Sequence, residues 1–208
     1  MFYGYGRNLT PGNEGDVPNL LNANTSTVTS MQIMFYLAKF NSSLAPIVEN
    51  FDMSSLVGIG LNSFMQNTVG TTTLDGTNWN ITSALTQMNG TWRSCTDLTS
   101  ILFHTSSDFS GITTWANCFL GSDALTSIFF PLNMSFASVT TMISFLSTGV
   151  SIITGQYDIF LLLFDATNSN SGVTITMGAS TYTGGSGAAT ARANIIAKGN
   201  TITDGGIA

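Results

Sequence analysis

The chain has 208 residues, 43% of them apolar and only 8% charged, with a net charge of −6. Five basic residues are too few to neutralise a run of phosphates or to hold an anionic membrane surface, so nucleic-acid binding and polybasic membrane attachment are disfavoured. The longest apolar run, residues 159–164, falls far short of the ~20 residues a bilayer span requires, so no membrane insertion is expected. Charged residues make up about 25% of an average soluble domain. Here Ser, Thr, Asn and Gly must supply the polar surface instead, a balance that suits an extracellular or particle-bound protein better than a cytosolic enzyme.

Residues 1–27 are rich in Gly, Asn and Pro and read as an extended N-terminal docking arm. Phe2, Tyr3 and Tyr5 are its docking candidates, and a frayed terminus is the alternative. Residues 1–7 lack the basic-then-apolar plan of a secretion leader. Either a leader has been removed or the protein leaves its cell inside an assembled particle.

Residues 28–153 carry a repeat. An aliphatic anchor is followed three places later by a large apolar residue: Val28 and Met31, Leu56 and Ile59, Leu85 and Met88, Ile112 and Trp115, Val139 and Met142. The first members lie 28 (28 to 56), 29 (56 to 85), 27 (85 to 112) and 27 (112 to 139) residues apart. An aromatic follows each anchor: Phe35, Phe64, Trp92, Phe119 and Phe145. Strand-like runs come next, at residues 44–47, 98–101, 125–128 and 150–153, with Leu74 as the counterpart in the second unit. A unit this short cannot bury its own apolar side, whereas stacked units can. The expected fold is therefore a β-rich, α+β solenoid of about five coils, with parallel strands about 4.8 Å apart. A β-sandwich with strands of similar spacing is the alternative, but it gives no reason for anchor, aromatic and strand to recur in one order. Cys95 and Cys118 are the only cysteines and read as buried free thiols, with a bridge between adjacent coils as the other possibility.

The pattern changes at residue 154. Residues 157–164 are apolar nearly all round and predict a short buried helix or strand. Residues 172–176 predict a strand, residues 188–198 a helix ended by Gly199, and residues 201–203 a final strand. Residues 154–208 thus read as a C-terminal α/β capping module, closing the open end of the stack.

Catalysis needs a constellation, and this chain has little to build one from. His104 is the only histidine, and Glu14 and Glu49 are the only glutamates. Thr105, Ser106, Ser107 and Asp108 beside His104 are read as a polar loop rather than as parts of a triad. Asp97, Asp108 and Asp123 are dispersed at turns. The six Asn-x-Ser/Thr sequons, in a chain this rich in those residues, are attributed to chance. No metal site, no cofactor and no enzymatic activity is expected. A glycan-processing enzyme is the reading set against this one. The binding candidates are residues that alternation points outward from the strands: Leu102, Phe129 and, in the first coil, Val48. Apolar residues stacked outward mark a ligand or subunit surface. The alternatives are a swap of faces with Ile101 and Ile128, or a stripe covered by the arm or a neighbouring subunit.

Residues 51–56 (FDMSSL), the spaced set Met88, Trp92, Cys95, Leu98 to Ile101, and residues 124–128 (ALTSI) resemble the BspA-type leucine-rich repeat family. Residues 172–176, Tyr182, residues 188–192 and residues 203–206 are similar to the end module on such repeats in phage and marine viral surface proteins. The resemblance implies leucine-rich-repeat-like coils in a right-handed solenoid, surface display, and adhesion or host recognition, with no catalytic residues. The resulting expectation is a non-enzymatic virion surface protein, such as a tail tip, fibre or capsid decoration. It would be homo-oligomeric, with other virion proteins and a host surface glycan or protein as partners. A bacterial cell-surface adhesin or extracellular filament subunit is the alternative.

Overall fold

Short runs of Ser or Thr followed by an aliphatic residue extend wherever a neighbour can pair with them. Three such runs, β1 (Thr73–Asp75), β2 (Ser100–Leu102) and β3 (Ser127–Phe129), form a parallel sheet in that order. The computed structural model describes Leu20, residues 23–39 and residues 44–208. Leu74, Ile101 and Ile128 pair in register, point inward and are buried. Each step across the sheet consumes 27 residues of chain (74 to 101, 101 to 128).

The opposite side is built differently. Beyond each anchor the chain runs through overlapping β-turns. Met34 N–H donates to Met31 O, Tyr36 N–H to Ile33 O and Ala38 N–H to Phe35 O. The same pattern returns at Phe64 to Leu61, Gln66 to Ser63 and Thr68 to Met65. It returns again at Cys118 to Trp115, Leu120 to Asn117 and Ser122 to Phe119. In the first and last turn of each set the third residue has a positive φ, as a type II or I′ turn requires, and those residues fall into two columns. One holds Ile33, Ser63, Gly90, Asn117 and Ser144; the other holds Leu37, Asn67, Ser94 and Gly121. The N–H groups left over at alternate residues donate to the next turn stack. Trp92 N–H reaches Cys118 O, Ser94 N–H reaches Leu120 O and Phe119 N–H reaches Phe145 O, at 3.0, 2.8 and 2.9 Å.

The expectation of a five-coil solenoid of leucine-rich-repeat-like coils, each with its strand, is therefore corrected. Strand occupies three residues in each of three repeats, and the described residues form separate sheets of three, two and two strands. The 27-residue interval is held as much by stacked turns, whose left-handed residues no strand accommodates. Further expectations fall with it. Residues 44–47 are not a strand: α1 (Ala45–Val48) is one helical turn with Pro46 in its opening positions. Proline has no N–H for a ladder but fits a helix start. Val48, expected to face outward, is 0% exposed. Residues 150–153 form no strand, and Ile153 instead caps α2 (Thr154–Thr167). Ile59 is 45% exposed, and Leu61 takes the inward place expected of it.

The C-terminal part continues in parallel pairing. It comprises α2, β4 (Thr174–Thr176), β5 (Thr181–Tyr182), α3 (Gly187–Ala197), β6 (Thr201–Thr203) and β7 (Gly206–Ile207). β4 pairs with β6 and β5 with β7, and Met142 bridges to Ile175. The Ser186 hydroxyl caps α3 by accepting from Ala188 and Ala189 N–H, and Gly199 follows its end with φ +87°. Asp204 binds the tail together. It accepts two bonds from Arg192 at 2.8 and 3.0 Å and one from the Tyr157 hydroxyl at 2.6 Å.

The core between the two sides is aromatic. Trp92 stacks on Trp79 and Phe119, with ring centroids 5.8 and 5.2 Å apart. Phe103 sits edge-on to Trp115 and Phe109. Buried hydroxyls serve the backbone of the neighbouring repeat: Ser122 accepts from Cys95 N–H at 3.0 Å and donates to Trp92 O at 2.6 Å. Cys95 and Cys118 are free and buried. Burial pushes the Cys95 thiol up to about 12 and raises that of Cys118 as well.

Candidate functional site: a groove on the parallel sheet

Alternation along the three strands puts two rows on the outer face. Thr73 and Ser100 form one, and Asp75, Leu102 and Phe129 form the other, paired in register. Phe129 is 47% exposed and Leu102 is half-buried. Together with Glu49 these residues line an open groove of ≈ 260 Å³. Glu49 arrives from the end of α1, which stands beside β1 where a further strand would lie. Its Oε1 accepts the Asp75 N–H at 2.7 Å. Burial raises the Glu49 carboxyl; the Asp75 N–H pulls it back and the Asp75 charge adds to the rise. Asp75 Oδ1 in turn accepts the N–H of Thr77 at 2.9 Å.

The other edge of the sheet is closed in the same manner. Gln156, buried near the start of α2, accepts the Ile128 N–H on its Oε1 at 2.8 Å. Side-chain oxygens thus meet an outward N–H on each edge, which blunts the sheet against strand addition. The face, not the edges, is the accessible surface.

The structure brings Leu102 and Phe129 together as expected from their spacing and leaves Val48 beneath the surface, where its carbonyl accepts the Trp79 indole N–H at 2.9 Å. Phe2, Tyr3 and Tyr5 lie outside the described residues. Glu49 and Asp75 were not singled out for the site by sequence reasoning. Asp75 carried a usable signal, since it precedes Leu102 and Phe129 at the same interval (75, 102, 129). Glu49 carried none, because its position depends on a helix replacing a strand.

The residues around His104 are engaged locally. Its Nδ1 accepts the Ser106 N–H at 3.4 Å, the Ser107 hydroxyl oxygen accepts the Ile81 N–H at 3.1 Å, and Asp108 Oδ1 accepts the Ser110 N–H at 2.9 Å. Among the described residues no group of three or more His, Cys, Asp or Glu is placed to hold a metal ion, and no helix is long and apolar enough to cross a membrane. Compared with protein-family models, curated proteins and solved structures, the chain matches none.

Proposed function

We propose that this is a non-enzymatic surface-display and recognition protein of a virion, which engages its partner through the outer face of β1–β3. The observation carrying this reading is the exposed Phe129 beside Leu102, in a groove on a sheet whose edges are closed by Glu49 and Gln156. Apolar surface of this kind, rimmed by polar groups, is what a partner site offers. The low charge and the Ser/Thr/Asn/Gly-rich surface support an extracellular or particle-bound setting. The partners proposed are other virion subunits and a host surface molecule, and a homo-oligomer multiplies such weak contacts by avidity.

The test is Phe129→Asp, compared with the wild type for oligomeric state by sedimentation and for adsorption of fluorescent protein to a panel of bacterial cells. Loss of either, with an unchanged circular dichroism spectrum, is expected. Unchanged assembly and unchanged adsorption would remove the groove as the recognition surface. Antibody labelling of particles and of cells in the source culture separates the virion from a cell-surface adhesin or filament.

A further inference from the structure

The groove combines hydrocarbon and negative charge, and this inference rests on reading it as a recognition surface. Leu102 and Phe129 supply the apolar wall, and Glu49 and Asp75 place two carboxylates at one end. Among the described residues the salt bridges are Arg192–Asp204 and Lys198–Asp165, both away from the groove. Glu49 and Asp75 are therefore neighbouring like charges with no cation paired to them among the described residues, one of them partly withdrawn from water. A cation arriving there removes a repulsion already present.

The carboxylates also discriminate between cations. Glu49 Oε1 is occupied by the Asp75 N–H, and Asp75 Oδ1 by Thr77. Each acid then offers one uncommitted oxygen, which suits three rotatable donors on a point charge better than the paired fork of a guanidinium. An alkyl stem lying on Leu102 and Phe129 completes the match. We infer that the groove takes the side chain of a lysine presented by a partner protein.

The experiment titrates the isotope-labelled full chain with the peptide acetyl-Gly-Gly-Lys-Gly-Gly-amide, following backbone amide shifts. Parallel titrations use versions carrying Nε-acetyl-lysine, norleucine or arginine, and free glucosamine. The lysine peptide is expected to shift the amides of Asp75, Leu102 and Phe129, and Asp75→Asn is expected to weaken it about fivefold, the scale of one exposed ion pair. Ile143→Asp, an exposed apolar position away from the groove, should leave binding unchanged. Equal binding of the acetyl-lysine peptide, absence of shifts in the groove, or preference for arginine or glucosamine would overturn the inference. If those results accompany loss of assembly or of cell adsorption in Phe129→Asp, the recognition reading stands and only the ligand assignment fails. If assembly and adsorption both survive, both fail.

Discussion

From residue 63 onward the strand side and the turn side of this molecule keep the same 27-residue interval by different means. On the strand side, register is carried by β1, β2 and β3, and alternation leaves Thr73, Asp75, Ser100, Leu102 and Phe129 on the outer face. Those outer residues bear no structural duty in the ladder, so they are available for recognition. On the turn side the N–H groups of alternate residues are committed to the next repeat, and two columns of residues are committed to positive φ. Side chains there are constrained by backbone shape, and the hydroxyls and amides that occur serve neighbouring turns. Asn89, for example, accepts from Thr114 Oγ1 at 2.7 Å and donates to Gln87 Oε1 at 3.2 Å. A repeat can therefore vary its surface on one side only while it secures its stacking on the other.

The sharpest way to break this comparison is to remove an aromatic from the turn side. Trp92→Ala should cost about 3–5 kcal/mol, more than the ~2–5 range gives for Ile101→Ala on the strand side. Urea denaturation of both variants measures it, and the reverse order would show that the strands carry the stack. Closer in scale are the two buried polar links. Ser122→Ala on the turn side and Gln156→Ala on the strand edge each strand a buried N–H, at Cys95 and Ile128 respectively. Each should cost about 1–3 kcal/mol by the same denaturation. Relieving strain should act on the turn side alone. Ile33 is β-branched with φ 52°, and Ile33→Gly should raise stability by up to about 1 kcal/mol in thermal unfolding, the left-handed penalty exceeding the entropy of glycine.

The strand edge should also respond to pH. The Glu49 carboxyl is raised in the folded protein, chiefly by burial. Its contribution is thus fully present below its ordinary value of 4.5 and is lost as pH rises through the folded value. Glu49→Gln keeps the acceptor for Asp75 N–H, so its melting temperature relative to wild type should be higher at pH 6 than at pH 4. A constant difference would mean that Glu49 titrates as it does in the unfolded chain. The smallest effect belongs to the groove itself: Phe129→Asp should change unfolding free energy by no more than about 0.5 kcal/mol, as expected for an exposed position.

Much of the interval was legible because burial imposes it. The anchors Leu85, Met88, Ile112, Trp115, Val139 and Met142 all face the core, as do the aromatics that follow them. The two copies of Leu-Thr-Ser-Ile gave the positions of β2 and β3 to within two residues, and the helix at 188–198 was legible from its alanines and Gly199. The turn side was not legible. Ile33, Leu37 and Ser144 are poor residues for positive φ, so nothing in their chemistry announces a left-handed turn; only Asn67, Gly90, Asn117 and Gly121 in the same columns do. Residues 44–47 misled because their apolar content fits either a strand or a helical turn, and Pro46 was the overlooked arbiter. In the site, Phe129 and Leu102 were accessible to a period-two argument, whereas Val48 and Glu49 depended on that same helical turn.

The two thiols turn the stack into its own clock. Cys95 is held in the protonated form by burial and donates a hydrogen bond from its Sγ to Met65 O at 3.0 Å, and Cys118 is equally enclosed. Only the thiolate attacks an alkylating reagent, so the intact protein should ignore such reagents at neutral pH. Label would enter only while the turns around residues 92–95 and 115–118 part from their neighbours. The rate at which it accumulates would time the opening of the middle repeats, without any probe having to be added to the chain.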